Sequence, residues 1–220
     1  NLHGVYASLG SPIPGSHVEP YVLYRTNHNA GVHFWTSGLR MAGTVRKDYK
    51  YEAEFVHQER GEAATVQVQR LFPKFAWQPS VMGEANYAGR DFDQLYPTNH
   101  GIYGIADQIG RRNAKNVRGG LWLHPERWLT VKAEGHSFWL ADRSGGLYAF
   151  NGAASVAAVA GGAASGEVGK EVDVLSEVKL SKHYDIGVQY GHLFAGDFLK
   201  RYTAGAGRSF YAVYVDLRLQ

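Results

Sequence analysis

The sequence predicts an all-β protein, an antiparallel transmembrane β-barrel with about eleven strands in this chain. Three observations carry that prediction. Apolar and polar residues alternate with a period of two over runs of roughly 8–14 residues, short turns alternate with long loops, and aromatic residues gather near the ends of the runs. Such runs exceed the ~5–6 residues usual for globular strands and reach the ~9–11 needed to cross a bilayer at a tilt.

Along the chain, "NLHGVYASLGS" already reads as a strand in progress. "YKYEAEFVHQ" places Tyr49, Tyr51, Ala53, Phe55 and His57 on one face and Lys50, Glu52, Glu54 and Gln58 on the other. "VRGGLWLH" opposes Val117, Gly119, Leu121 and Leu123 to Arg118, Gly120, Trp122 and His124. "WLTVKAEGHSFW" sets Leu129, Val131, Ala133 and Ser137 against Thr130, Lys132, Glu134 and His136. "EVDVLSEVKL" separates Val172, Val174, Ser176, Val178 and Leu180 from Glu171, Asp173, Glu177 and Lys179. "YDIGVQYGHLF" and "SFYAVYVDLRL" continue the pattern, the last opposing Tyr211, Val213, Val215, Leu217 and Leu219 to Asp216 and Arg218.

The turns "HPERW", "LSKHY" and "FPKFAWQP" are short, whereas longer loops fall at "NHNAG" and at residues 89–116, 143–170 and 194–209. Phe150–Gly169 is dominated by Ala, Gly and Ser and reads as a flexible loop. "GIADQIGRRN" has room for one or two helical turns. Gly119, Gly187 and Gly191 are read as relieving crowding between tilted strands.

Alternation alone fits a soluble β-sandwich binder as well as a membrane barrel, because both solvents demand one apolar face. Small residues on the apolar faces and the length of the runs tilt the choice toward lipid. So do Tyr49, Tyr51, Trp77, Trp128, Phe138, Trp139, Phe210 and Tyr211 near strand ends, as in interfacial girdles.

The 220 residues fit one domain, 1–220, with a formal net charge of +3 and no cysteine. The absence of cysteine excludes a disulfide scaffold and a thiolate metal site. Basic residues are interspersed with acids and form no long run, so no nucleic-acid partner is expected.

From Tyr49 to the end, the ordered segments "FDQLYPTNHGIYGIADQIGRRNAKNVRGGLWLHP", "HSFWLADRSGGLYAFNG", "VGKEVDVLSEVKLSKHYDIGVQYGHLFAGDFLKR" and "FYAVYVDLRL" resemble the bacterial alginate export family. The resemblance implies an outer-membrane barrel of a Gram-negative bacterium that passes an anionic polysaccharide, with periplasmic export components as further partners. The family's type member has eighteen strands, so this chain would correspond to a C-terminal portion.

On that reading the polar faces line a wet lumen. The candidate cargo path is Arg40, Lys50, Arg118, Lys132, Glu134, His136, Lys179 and Arg218, with Arg118 and Lys132 on successive strands and able to sit close together. Arginines hold carboxylates bidentately, lysines hold them as point charges, and neighbouring acids keep each stop weak. Asp93, Asp107, Arg111 and Arg112 on the 89–116 loop are candidates for narrowing the mouth.

Rival chemistry is weaker. Asp91-Phe92-Asp93 is too short for a calcium loop, and no histidine pair has zinc spacing. His136 and Ser137 point to opposite faces of a strand and cannot form a dyad with Asp142. No catalytic residue, cofactor or metal is expected. A plugged barrel that binds a partner or carries an enzyme through its loops is the alternative.

Overall fold

The computed structural model describes residues 1–27, 31–96 and 102–217. The strands are β1 (Leu2–Tyr6), β2 (Leu9–Gly10), β3 (Ser16–Asn27), β4 (Val32–Val45), β5 (Tyr49–Gln58), β6 (Gly61–Leu71), β7 (Ser80–Ala88), β8 (Ala114–Glu126), β9 (Leu129–Leu140), β10 (Leu147–Tyr148), β11 (Ala154–Val156), β12 (Glu167–Lys179), β13 (Tyr184–Ala195) and β14 (Arg208–Leu217). One short helix, α1 (Asp197–Tyr202), precedes the last of them.

All but β10 and β11 belong to one antiparallel sheet in the order β1-β3-β4-β5-β6-β7-β8-β9-β12-β13-β14. β2 lies on the same edge of β3 as β1, so the two act as one interrupted edge strand. Pro20 explains the interruption. Ala7 donates its N–H to the Pro20 carbonyl at 3.1 Å, but proline has no N–H to return. Among the described residues the sheet is open, with β1/β2 and β14 at its edges. No described helix is long and apolar enough to cross a membrane, a criterion that does not apply to strands.

Successive hairpins send the chain up and down, and the connections differ at the two ends. At one end are short turns. The β4–β5 turn, for example, carries Arg46 and Lys47 at φ of 52° and 64°, the left-handed pair that matches strand twist. The other end carries the loops 89–113, 141–166 and 196–207. These loops fold on one another. Tyr103, Ile109, Leu147, Ala163 and Phe198 pack with Ala114, Phe138, Leu140, Val168 and Leu193 at the strand ends into one apolar cluster.

Several expectations are corrected here. Phe138 is 0% exposed inside that cluster and is not part of an outer girdle. Residues 150–169 are not one featureless loop, since Ala154–Val156 pairs with Leu147–Tyr148 and β12 begins at Glu167. The segment 102–113 forms turns, not helix, with Asp107 and Asn113 at φ of 54° and 51°. Gly191 and Gly187 do relieve crowding, beside Ile105 and the Tyr214 ring respectively, but the space beside Gly119 is open.

Burial across the sheet is inverted relative to a water-soluble protein. Val22, Trp35, Leu39, Phe55, Val66, Val68, Val81, Val117, Leu121, Val172, Val174, Val188, Val213 and Val215 point outward and are exposed. On the opposite face Glu19, Thr36, Gln58, Thr65, Glu84, Asn86, Asn116, His136, Glu171, Asp173 and Gln189 are buried. The outer surface is also zoned. Trp35, Phe55, Tyr87, Trp139 and Phe194 are exposed toward the long-loop end, and Phe75, Trp77, Trp128 and Tyr184 at the short-turn end. From Trp128 to Trp139 the chain advances about 36 Å at ~3.3 Å per residue. At a tilt of ~40° that becomes about 28 Å, close to the ~25 Å apolar band of a membrane barrel.

Candidate functional site: the polar face and the loop across it

The buried polar residues come from alternate positions on neighbouring strands, so register alone sets them side by side. Starting at β3, Tyr21 donates its hydroxyl to Glu54 Oε1 at 2.8 Å. Arg111 from the 89–113 loop lies 3.5 Å from Glu54 Oε2 and donates to Thr65 Oγ1 at 3.2 Å. Thr65 donates to Asn86 Oδ1, and Asn86 Nδ2 donates to Glu84 Oε1 at 2.6 Å and to Asn116 Oδ1 at 3.1 Å. Arg118 then joins Glu84 at 2.7 Å to Glu134 at 3.3 Å. His136 Nε2 lies 3.5 Å from Glu134 Oε2 and 3.2 Å from Asp173 Oδ2. The result is a continuous polar belt from β3 to β12.

A second cluster stands beside it, where Arg40 bridges Glu19 and Glu52. Acids therefore outnumber bases along the belt. Of the basic stops expected from the sequence, Arg40 and Arg118 are each paired with two carboxylates.

The described parts of the 89–113 loop, 89–96 and 102–113, lie across this face. Its first end is held by Asp93, which pairs with Arg25 on β3 and exchanges backbone hydrogen bonds with the Gln58 amide at 2.8 and 2.9 Å. Farther along, Ile105 N–H donates to Asp173 Oδ2 at 3.2 Å and Ala106 N–H donates to Glu171 Oε1 at 2.9 Å. Gly104 makes this possible. Its φ is +84°, and a Cβ there would fall 2.3 Å from the Glu171 carboxylate. Burial pushes the Tyr103 phenol well above its usual range, an effect the nearby Arg111 partly offsets.

Two adjoining clefts open on this loop, of about 260 and 310 Å³, and share Gln94, Arg111 and Phe150. Arg25, Arg60, Arg111 and Arg112 line the first, and Asp107 with Tyr96 and Tyr103 the second. Arg112 stacks 4.0 Å over the Tyr148 ring and lies 3.8 Å from Asp91.

The expected path residues thus fall into distinct groups. Arg40, Arg118, Glu134 and His136 lie on the buried polar face and are joined to partners. Lys50 and Lys179 have the polar-face parity but are exposed at the short-turn end, and Lys132 is half-buried near Glu134. Arg118 and Lys132 do not adjoin, because register sets Arg118 opposite His136 and Lys132 opposite Trp122. Arg218 lies outside the described residues. His136 faces inward and Ser137 outward, as alternation requires.

Sequence reasoning missed Asp173 as the partner of His136, although Glu134 lies directly across the ladder from it. It also missed Asn113. That residue is 0% exposed, and its side chain donates to the Asp142 and Gly146 carbonyls and accepts from Asp142 N–H, tying two loops together.

No curated protein matches this sequence. A family model described as alginate export matches residues 19–213, which takes in the polar belt, the loop across it and nearly every strand of the sheet, and the chain belongs to the alginate export family.

Proposed function

We propose that this chain forms the wall of an outer-membrane β-barrel channel through which an anionic polysaccharide, or another small anionic solute, passes without an energy source. The observation that carries this reading is the inverted burial: exposed aliphatic side chains zoned between aromatic belts outside, and a buried charged belt inside. Such an outer surface suits hydrocarbon, and the charged face suits a wet passage. Open strand edges are not tolerated in lipid, so on this reading the β1/β2 and β14 edges are paired in the membrane.

Passage follows from the charges. Exposed Lys50 and Lys179 at the short-turn end attract a polymer with a carboxylate on each sugar. Arg118, Arg40 and Arg111 already hold carboxylates, so a passing uronate exchanges for an existing partner and each stop stays shallow. The loop docked on the belt narrows the way, and its Arg-lined clefts meet the polymer at the far end. Catalysis is not part of this reading, and periplasmic export components would deliver the cargo.

The test is single-channel recording in planar bilayers with polyuronate added to one side. Conductance that polyuronate blocks reversibly supports the reading; conductance insensitive to it refutes it. A second reading draws on the same docked loop: a plugged barrel whose clefts bind a surface partner. It predicts polyuronate binding with no measurable conductance.

A further inference from the structure

The belt contains one arrangement that the transport reading leaves unused. Glu134, Glu171 and Asp173 gather around His136, and Arg118 joins Glu134 to Glu84 farther along the belt. Carboxyl groups screened from water are costly to ionise unless positive charge stands beside them.

The imidazole is poorly placed to supply it by hydrogen bonding. His136 is 3% exposed, and its Nε2 points between two carboxylates yet makes a proper hydrogen bond to neither. A charge-assisted N–H···O bond would close to about 2.7–2.9 Å; here the separations are 3.2 and 3.5 Å. Those are instead the spacings of neighbouring ligands on a tetrahedral ion with bonds of ~2.0–2.1 Å, which places donors about 3.3 Å apart. The donor atoms of Glu134, His136 and Asp173 all lie within 4.8 Å of one another. Glu171 Oε2 and Asp173 Oδ1 are also buried without a hydrogen-bond partner.

We propose that Glu134, His136 and Asp173 bind a divalent transition cation of the zinc or manganese type, with Glu171 beside them as a further oxygen donor. One imidazole with carboxylates and no thiolate favours such ions over copper(I), and the nitrogen ligand favours them over calcium or magnesium. The ion supplies that positive charge. It also locks Asp173 and Glu171 in the orientation that receives the Ile105 and Ala106 amides, so it fastens the loop to the wall. The site stands independently of any transport activity.

The test uses the full chain purified in detergent, stripped with a chelator, titrated with zinc or manganese chloride and desalted before elemental analysis. One retained ion per chain is expected, lost in His136→Gln and in Asp173→Asn. Asn116, 3.4 Å from the other ring nitrogen, is an outer neighbour, and Asn116→Ala should weaken binding by about 10–100-fold. His57→Gln, in an exposed pair with Glu62, should leave binding unchanged. No retained ion, or undiminished retention in the His136→Gln/Asp173→Asn double variant, overturns the proposal. Should the variants not fold, zinc-soaked crystals of the unaltered chain decide: an anomalous peak in bonding contact with His136 Nε2 supports the site, and its absence there refutes it.

Discussion

Arg118 shows how a single side chain works in this wall. Its side chain is 13% exposed between Glu84, 1% exposed, and Glu134. Replacing it by methionine leaves the buried Glu84 carboxyl without its guanidinium partner, a loss of about 3–5 kcal/mol. Arg40→Met should cost less, because that side chain is 31% exposed and His17 remains 3.2 Å from Glu19. Urea unfolding of the two variants in lipid vesicles checks the ordering, and equal losses would contradict it. Charge reversal reads function instead. Arg118→Glu sets a third acid between Glu84 and Glu134 and should lower anion-over-cation selectivity in bilayer recordings, whereas Val117→Ala on the outer face should leave it nearly unchanged. Which residues face inward was legible from alternation at Arg118, Glu134 and His136. Their partners were not. The Asp173–His136 contact depends on β9 pairing with β12 across an insertion of twenty-six residues, 141–166, and nothing local in the sequence encodes that register.

At the scale of elements, the three long loops behave as a small domain of their own, with an apolar cluster and a polar pin. Asn113→Ala removes three side-chain hydrogen bonds and leaves the Asp142 and Gly146 carbonyls without that donor. A loss of about 1–3 kcal/mol is expected, read as a lower thermal midpoint. Gly104→Ala strains a left-handed backbone and drives a methyl into Glu171, so the loop should undock. Limited proteolysis within residues 89–113 would detect this as faster cleavage, and unchanged protection would show that docking does not depend on Gly104. Tyr103 adds a pH dependence. Its folded-state pKa is raised, so its contribution to docking is complete below about pH 10, the ordinary phenol value, and declines as pH rises above it. The positions of these loops were legible from their composition. Their packing was not, because Tyr103, Ile109 and Phe198 are apolar residues without periodicity that meet only in three dimensions.

At the scale of the whole molecule, the proposed function has one alternating pattern meet two solvents. Leu121 lies on the outer face near mid-strand, and Leu121→Arg should oppose insertion into liposomes by about 2–4 kcal/mol. A chain without cysteine permits the most direct test of the central claim, that the apolar face meets lipid and the charged face meets water. Nitroxide labels on single cysteines at Val66, Val117 and Val188 outside, and at Lys50, Gln67 and Lys132 on the polar face, are measured in liposomes with oxygen and a water-soluble nickel chelate as competing relaxers. The outer labels should respond to oxygen and be shielded from nickel, and the inner labels should show the reverse preference. Outer labels as accessible to nickel as the inner ones would contradict the account.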